Sequence, residues 1–91
     1  GPPDEDVAVE LDLVAQRAQR RGVVDSSIIA LEEAARLSTD SRRRAERLLR
    51  AADLAVESGR RDIVQRVLAE VESLELSGQQ QTRVAWIRGS F

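Results

Sequence analysis

The sequence predicts an all-α fold, a short α-solenoid of about five helices arranged as stacked antiparallel hairpins, and three observations carry that expectation. Apolar residues recur at intervals of three and four along most of the chain, the period of one helical face. The pattern repeats itself with a shift of 37 residues, Gly22 falling on Gly59. The apolar residues, 42% of the chain, are mostly Ala, Val and Leu, with Trp86 and Phe91 the whole aromatic inventory. So thin a core suits closely packed helices better than a sandwich or barrel.

The chain of 91 residues has room for one small domain or part of a larger one. Gly1-Pro2 has the look of a scar left by a cleaved tag, so residues 1–3 are set aside as disordered and the helical fragment is placed at 4–91. Repeat one is expected at about 6–40, repeat two at 41–77, and a truncated third at 78–91.

Helix 1 should run from about Asp6 to Arg21 with Val7, Leu11, Val14, Ala15 and Ala18 inward, and stop at Gly22, a natural residue for the left-handed position after a helix. Asp25 or Ser26 can cap helix 2, whose inward set is Ile28, Leu31, Ala34, Ala35 and Leu37. The polar run Ser38-Thr39-Asp40-Ser41 reads as a turn, with Asp40 or Ser41 capping helix 3. That helix carries Ala45, Leu48, Leu49, Ala52, Ala55 and Val56 inward and stops at Gly59. Asp62 opens helix 4, with Ile63, Val64, Val67, Leu68, Val71 and Leu74 inward. Glu75 to Ser77 form a turn before a last helix holding Val84, Ala85, Trp86 and Ile87, which is expected to be cut short.

Under the 37-residue shift Leu11 meets Leu48, Ala15 meets Ala52, Ala18 meets Ala55, Asp25 meets Asp62, Leu31 meets Leu68 and Leu37 meets Leu74. Each unit is then a helical hairpin that buries its apolar face on its neighbours. The order Leu11, Val14, Ala15, Ala18, Gly22, Ser27, Leu31, Ala34, Leu37 resembles the tetratricopeptide repeat, as does Leu48, Ala51, Ala52, Ala55, Gly59, Val64, Leu68, Val71, Leu74. The repeat is degenerate: aliphatic residues or Ala replace the usual aromatics, and Thr39 and Leu76 stand where the closing Pro is usual.

Three stretches, Ile29 to Asp40, Arg43 to Asp53 and Arg83 to Gly89, resemble the helical-repeat region of the large ATP-dependent LuxR-family transcriptional regulators of high-GC bacteria. All basic residues are Arg, and the Ala, Arg and Val content is what GC-rich codons favour. The resemblance implies a parent protein in which a P-loop ATPase module precedes the repeats and a helix-turn-helix follows them. Neither motif is in this chain, which has no G-x-x-x-x-G-K-[ST] run and five Gly in all.

Composition removes several chemistries. With no Cys and no His there is no thiolate nucleophile, imidazole base or zinc site of the usual nitrogen and sulfur type, so no enzyme activity and no cofactor are predicted. Glu32-Glu33 and the pair Glu70 and Glu72 sit at solvent-facing positions of their helices, which does not suit paired-carboxylate catalysis. Asp4, Glu5 and Asp6 belong at the positive end of helix 1, and no calcium-loop pattern accompanies them. No apolar run approaches the ~20 residues that span a bilayer, and nothing resembles a secretory signal, so the default location is the cytoplasm.

Two sets of residues are candidate contacts. Arg43, Arg47 and Arg50 share a helical stripe and form a possible basic face. Glu46 and Asp53 are interleaved at pairing distance, no aromatic accompanies them, and the net charge is −2, so a solvated or intramolecular role is expected and direct nucleic-acid binding is not. Val84, Trp86, Ile87 and Phe91 form a possible interface, through which a truncated solenoid would self-associate at its C-terminal end, unless Trp86 or Ile87 packs on helix 4 as the terminal helix of a solenoid does. The expected function is a non-catalytic scaffold that binds a protein partner or transmits a signal between domains of its parent. The other expectation is a free-standing helical adaptor or docking domain.

Overall fold

A computed structural model describes residues 3–90 and shows five α-helices and, among those residues, no strand. They are α1 (Pro3–Arg20), α2 (Val24–Leu37), α3 (Ser41–Glu57), α4 (Arg61–Glu72) and α5 (Gly78–Arg88). Gly1, Pro2 and Phe91, which include two positions of the expected tag scar and one of the expected interface, lie outside the described residues. Position 3, set aside as disordered, belongs instead to the first turn of α1, where a proline's missing N–H costs nothing. Asp4, Glu5 and Asp6 follow it at the positive end of the helix, as expected.

The chain reverses the same way after α1 and after α3. Gly22 has φ +77° and Gly59 φ +71°, the left-handed region that only glycine enters without strain. At the first turn the Val23 N–H donates to the Ala18 carbonyl (2.9 Å) and the Gly22 N–H to that of Gln19 (3.0 Å). At the second, Arg60 donates to Ala55 (2.8 Å) and Gly59 to Val56 (3.1 Å), so the two bonding patterns superpose under the 37-residue shift. A β-carbon at either glycine would meet no atom within 4 Å, so backbone angle and not space demands the residue.

These tight turns correct two caps. Because Val23 is fixed by the turn, α2 starts at once with Val24, and Asp25 lies in its first turn instead of capping it; α4 likewise starts at Arg61, one residue before Asp62. Asp40 does cap α3, its carboxylate accepting from the Arg42 N–H at 3.1 Å. α5 opens on a capping box that the sequence reading left unnoticed: Gln80 N–H donates to Ser77 Oγ (3.2 Å) and Ser77 N–H to Gln80 Oε1 (3.0 Å).

Sequence neighbours pack together, α1 on α2, α2 on α3 and α3 on α4, and α3 also carries α5. The reversal at the first turn is visible in Ser27, whose buried hydroxyl reaches back to the Ala15 carbonyl (3.0 Å). The helices form a bundle with extents of 36 × 31 × 18 Å, the short dimension matching two helix layers. The core runs through all five elements, from Ala15 through Ile28, Leu31, Leu48, Leu49 and Leu68 to Val84 and Ile87. In α2, α3 and α4 nearly every expected inward position is buried.

α1 is the exception. Of its five expected inward residues only Ala15 is fully buried; Leu11 and Ala18 are half-buried, while Val7 and Val14 are 46% and 47% exposed. The face turned inward is Glu5, Ala8, Asp12 and Ala15. The physical reason lies on α3, which meets this face with arginines.

Where helices cross closely the core uses alanine, with Ala15, Ala52 and Ala55 fully buried. Ala52→Leu forces extra volume into that packing, and the expected loss is about 1 to 3 kcal/mol. Chemical denaturation should show it directly, and a midpoint equal to that of the parent chain would contradict the packing described.

Candidate functional site

From α1 to α4 helices adjacent in sequence meet through apolar side chains, and ion pairs also join α1 to α3, α2 to α4 and α3 to α5, with one further pair between the adjacent α4 and α5. The densest group lies between α1 and α3. Arg47 of α3 is only 6% exposed; its Nε donates to Asp12 Oδ2 (3.1 Å) and both of its terminal nitrogens to Glu5 Oε2 (3.3 Å each). It also donates to the buried Ser38 hydroxyl, which in turn donates to the Ala34 carbonyl at 2.7 Å. Arg50 reaches Asp12 Oδ1 at 2.8 Å, and Arg43 lies 3.4 Å from Glu5 Oε2.

Every acid in this group has its charge answered. Burial pushes the Glu5 carboxyl up, but the Thr39 N–H (3.4 Å) and the Arg47 and Arg43 guanidinium groups outweigh it and hold the group below the usual range. Burial acts in the same sense on Asp12 and is outweighed by hydrogen bonds from Arg50, Arg47 and Gln16, so Asp12 also ionises below its ordinary value. Among the described residues no buried side-chain nitrogen or oxygen lacks a partner.

Similar links recur down the molecule. Arg60 at the start of α4 pairs with Asp25 of α2 (2.8 Å), and Arg66 of α4 holds both oxygens of Glu32 (2.8 and 2.9 Å). Arg83 of α5 bridges Asp53 (2.6 Å) and Glu46 (3.4 Å) of α3, beside Gln80, which donates to Glu46 at 3.1 Å. Arg88 pairs with Glu72.

The candidate basic face therefore has a different place from a solvent stripe. Arg47 is interior, Arg50 is partly covered and paired, and Arg43 alone of the three is well exposed. The candidate interface is split as well. Val84 and Ile87 belong to the core and are not available to a partner, whereas Trp86 is 71% exposed. Phe91 lies outside the described residues.

Periodicity alone missed the apolar outer face of α1. Val7 and Val14 are exposed on one side of the charged residues Asp6, Glu10 and Arg17, and Val9 and Leu13 on the other; Val14 and Ala18 join Arg17, Arg21, Val23 and Ser26 in lining an open depression at the α1–α2 turn. A second depression, between α2 and α4, is lined chiefly by charged groups, among them Glu32, Asp25, Arg60 and Arg66. No described helix is long and apolar enough to cross a membrane. No protein-family model, curated protein or solved structure matches the chain.

Proposed function

We propose that the chain is a non-catalytic scaffold of stacked tetratricopeptide-like hairpins, a protein-interaction or signal-transmitting segment of a large LuxR-family transcriptional regulator. The observation that carries the scaffold reading is the equivalence of the two hairpins. Each closes on a left-handed glycine with the same two hydrogen bonds, and each buries the corresponding residues, Ala15 with Ala52 and Leu31 with Leu68. Ion pairs between α1 and α3 and between α2 and α4 join one hairpin to the next, which is how a solenoid transmits load from unit to unit. The regulator reading rests on the three stretches of resemblance, and on this reading ATP and DNA are handled by other domains of the parent. Reading the parent gene on both sides tests it: a P-loop upstream and a helix-turn-helix downstream are expected, and a gene with neither would end it.

The chain itself is expected to bind neither duplex DNA nor ATP at physiological salt, since its net charge is −2, it has no phosphate-binding loop and its most basic helix spends its arginines on Glu5 and Asp12. Fluorescence anisotropy with a random-sequence duplex and a labelled nucleotide checks both. Micromolar affinity for DNA that disappears in Arg43→Ser/Arg50→Ser would restore the nucleic-acid role.

A further inference from the structure

We infer that the outer face of α1 is a self-recognition surface that pairs antiparallel with α1 of a second copy of this chain. At about 100° per residue, Val7, Leu11, Val14 and Ala18 fall within an arc of about 60°, a continuous apolar stripe. Val7 and Val14 are nearly half exposed, and the stripe runs into the depression lined by Val14, Ala18 and Val23. The stripe flanks the packed face of Glu5, Ala8, Asp12 and Ala15, with Leu11 and Ala18 half-buried at the border, and its spacing suits a helix-to-helix contact with another molecule.

The charges select the occupant. Along one edge of the stripe α1 carries Asp6 and Glu10 near its start and Arg17 and Arg21 at and just beyond its end, all exposed and none ion-paired among the described residues. In an antiparallel pair with a two-fold axis, the same edge of both helices lies on the same side. Glu10 then faces Arg17 of the second copy, and Asp6 faces Arg21. Both pairs are centred on one point, between Leu13 and Val14, so a single axis forms both pairs twice over. Val7 of the second copy falls over the depression of Val14, Ala18 and Val23. A parallel two-fold pair would instead carry the charged edges of the two helices to opposite sides of the contact, so that neither Glu10 with Arg17 nor Asp6 with Arg21 could form. Antiparallel pairing also brings each helix's positive end to the other's negative end. The inference stands apart from the regulator reading, because it rests on the surface of α1 alone.

Sedimentation equilibrium of the 91-residue chain from micromolar to millimolar concentration tests it. A monomer–dimer equilibrium is expected, weakened by salt. Val14→Glu, at a site 47% exposed, should raise the dimer Kd by about tenfold or more, with the helical circular dichroism unchanged. Glu10→Arg and Arg17→Glu should each weaken the dimer about fivefold, and the two together should return it to within about twofold of the parent. A chain monomeric at every concentration overturns the proposal and leaves the stripe to a helical segment of a different protein. A dimer indifferent to Val14→Glu, including one dissolved by Trp86→Ser, overturns it too, and failure of the double reversal to restore affinity overturns the antiparallel pairing.

Discussion

Arg47→Ala is expected to cost about 3 to 5 kcal/mol, enough to leave a domain of this size partly unfolded at room temperature. The guanidinium sits at the centre of the α1–α3 contact, and its loss leaves two inward-facing carboxylates, Glu5 and Asp12, short of the charge that holds them there. It also removes the donor to Ser38. The measurement is urea denaturation followed by circular dichroism. Arg47→Met combined with Glu5→Leu and Asp12→Leu should recover most of the loss, because an apolar replacement of a buried ion cluster leaves no charge unanswered. If the single variant is as stable as the parent, the cluster contributes nothing to the fold. Acid gives a second view of the same contact. Glu5 and Asp12 have folded pKa values below their unfolded ones, so their stabilisation is complete above the ordinary carboxylate range and is lost as pH falls through the depressed values. The parent's thermal midpoint should therefore fall between about pH 5 and pH 2, and that fall should be shallower in Arg47→Ala.

Leu49→Ala is the second large effect, expected at about 2 to 5 kcal/mol. Leu49 is wholly buried on α3, the helix on which α2, α4 and α5 all pack, so a cavity there has walls from elements with little freedom to close in. Thermal unfolding monitored at 222 nm measures it, and a loss under about 1 kcal/mol would mean that the bundle collapses around the gap. Trp86, exposed on α5 at the position that the repeat makes equivalent to Leu49, provides the contrast: Trp86→Ser should leave the midpoint nearly unchanged.

The sequence reading succeeded where local chemistry decides the outcome and failed where distant charge does. The inward faces of α2, α3 and α4, both glycine turns and the Asp40 cap follow from periodicity and from the preferences of individual residues. α1 does not. Its run Val7 to Val14 alternates apolar residues with acids and so offers two usable helical faces, one of valine and leucine and one of Glu5, Ala8, Asp12 and Ala15. The second is buried because α3 presents Arg43, Arg47 and Arg50 to it, more than thirty residues further on. A window that looks for hydrophobicity cannot register that match, although the excess of acid in α1 and of Arg in α3 was the signal available. For the same reason the Arg stripe, expected to be solvated or in an intramolecular contact with Glu46 and Asp53 at pairing distance, pairs instead with Glu5 and Asp12 of α1. Val84 and Ile87 were offered as a possible interface, with packing of Trp86 or Ile87 on helix 4 as the alternative; α5 instead folds onto α3, burying Val84 and Ile87 and leaving Trp86 exposed.

The apolar seam between α2 and α3 and the ion pairs that span it, α1 to α3 and α2 to α4, have a mechanical meaning. In any bending of one hairpin on the other, the greasy seam between α2 and α3 would be the pivot, and the arginine links on either side of it, Arg47 to α1 and Arg66 to α2, would be tethers. A guanidinium on a long flexible arm can follow its carboxylate through a small tilt without letting go, so such tethers resist rotation softly and then stop it. Bending the two hairpins toward one side slackens one set and stretches the other. Ionic strength, which weakens exposed pairs such as Arg66 with Glu32 far more than the buried Arg47 pairs, would then bias the resting angle and make curvature a property that salt can tune.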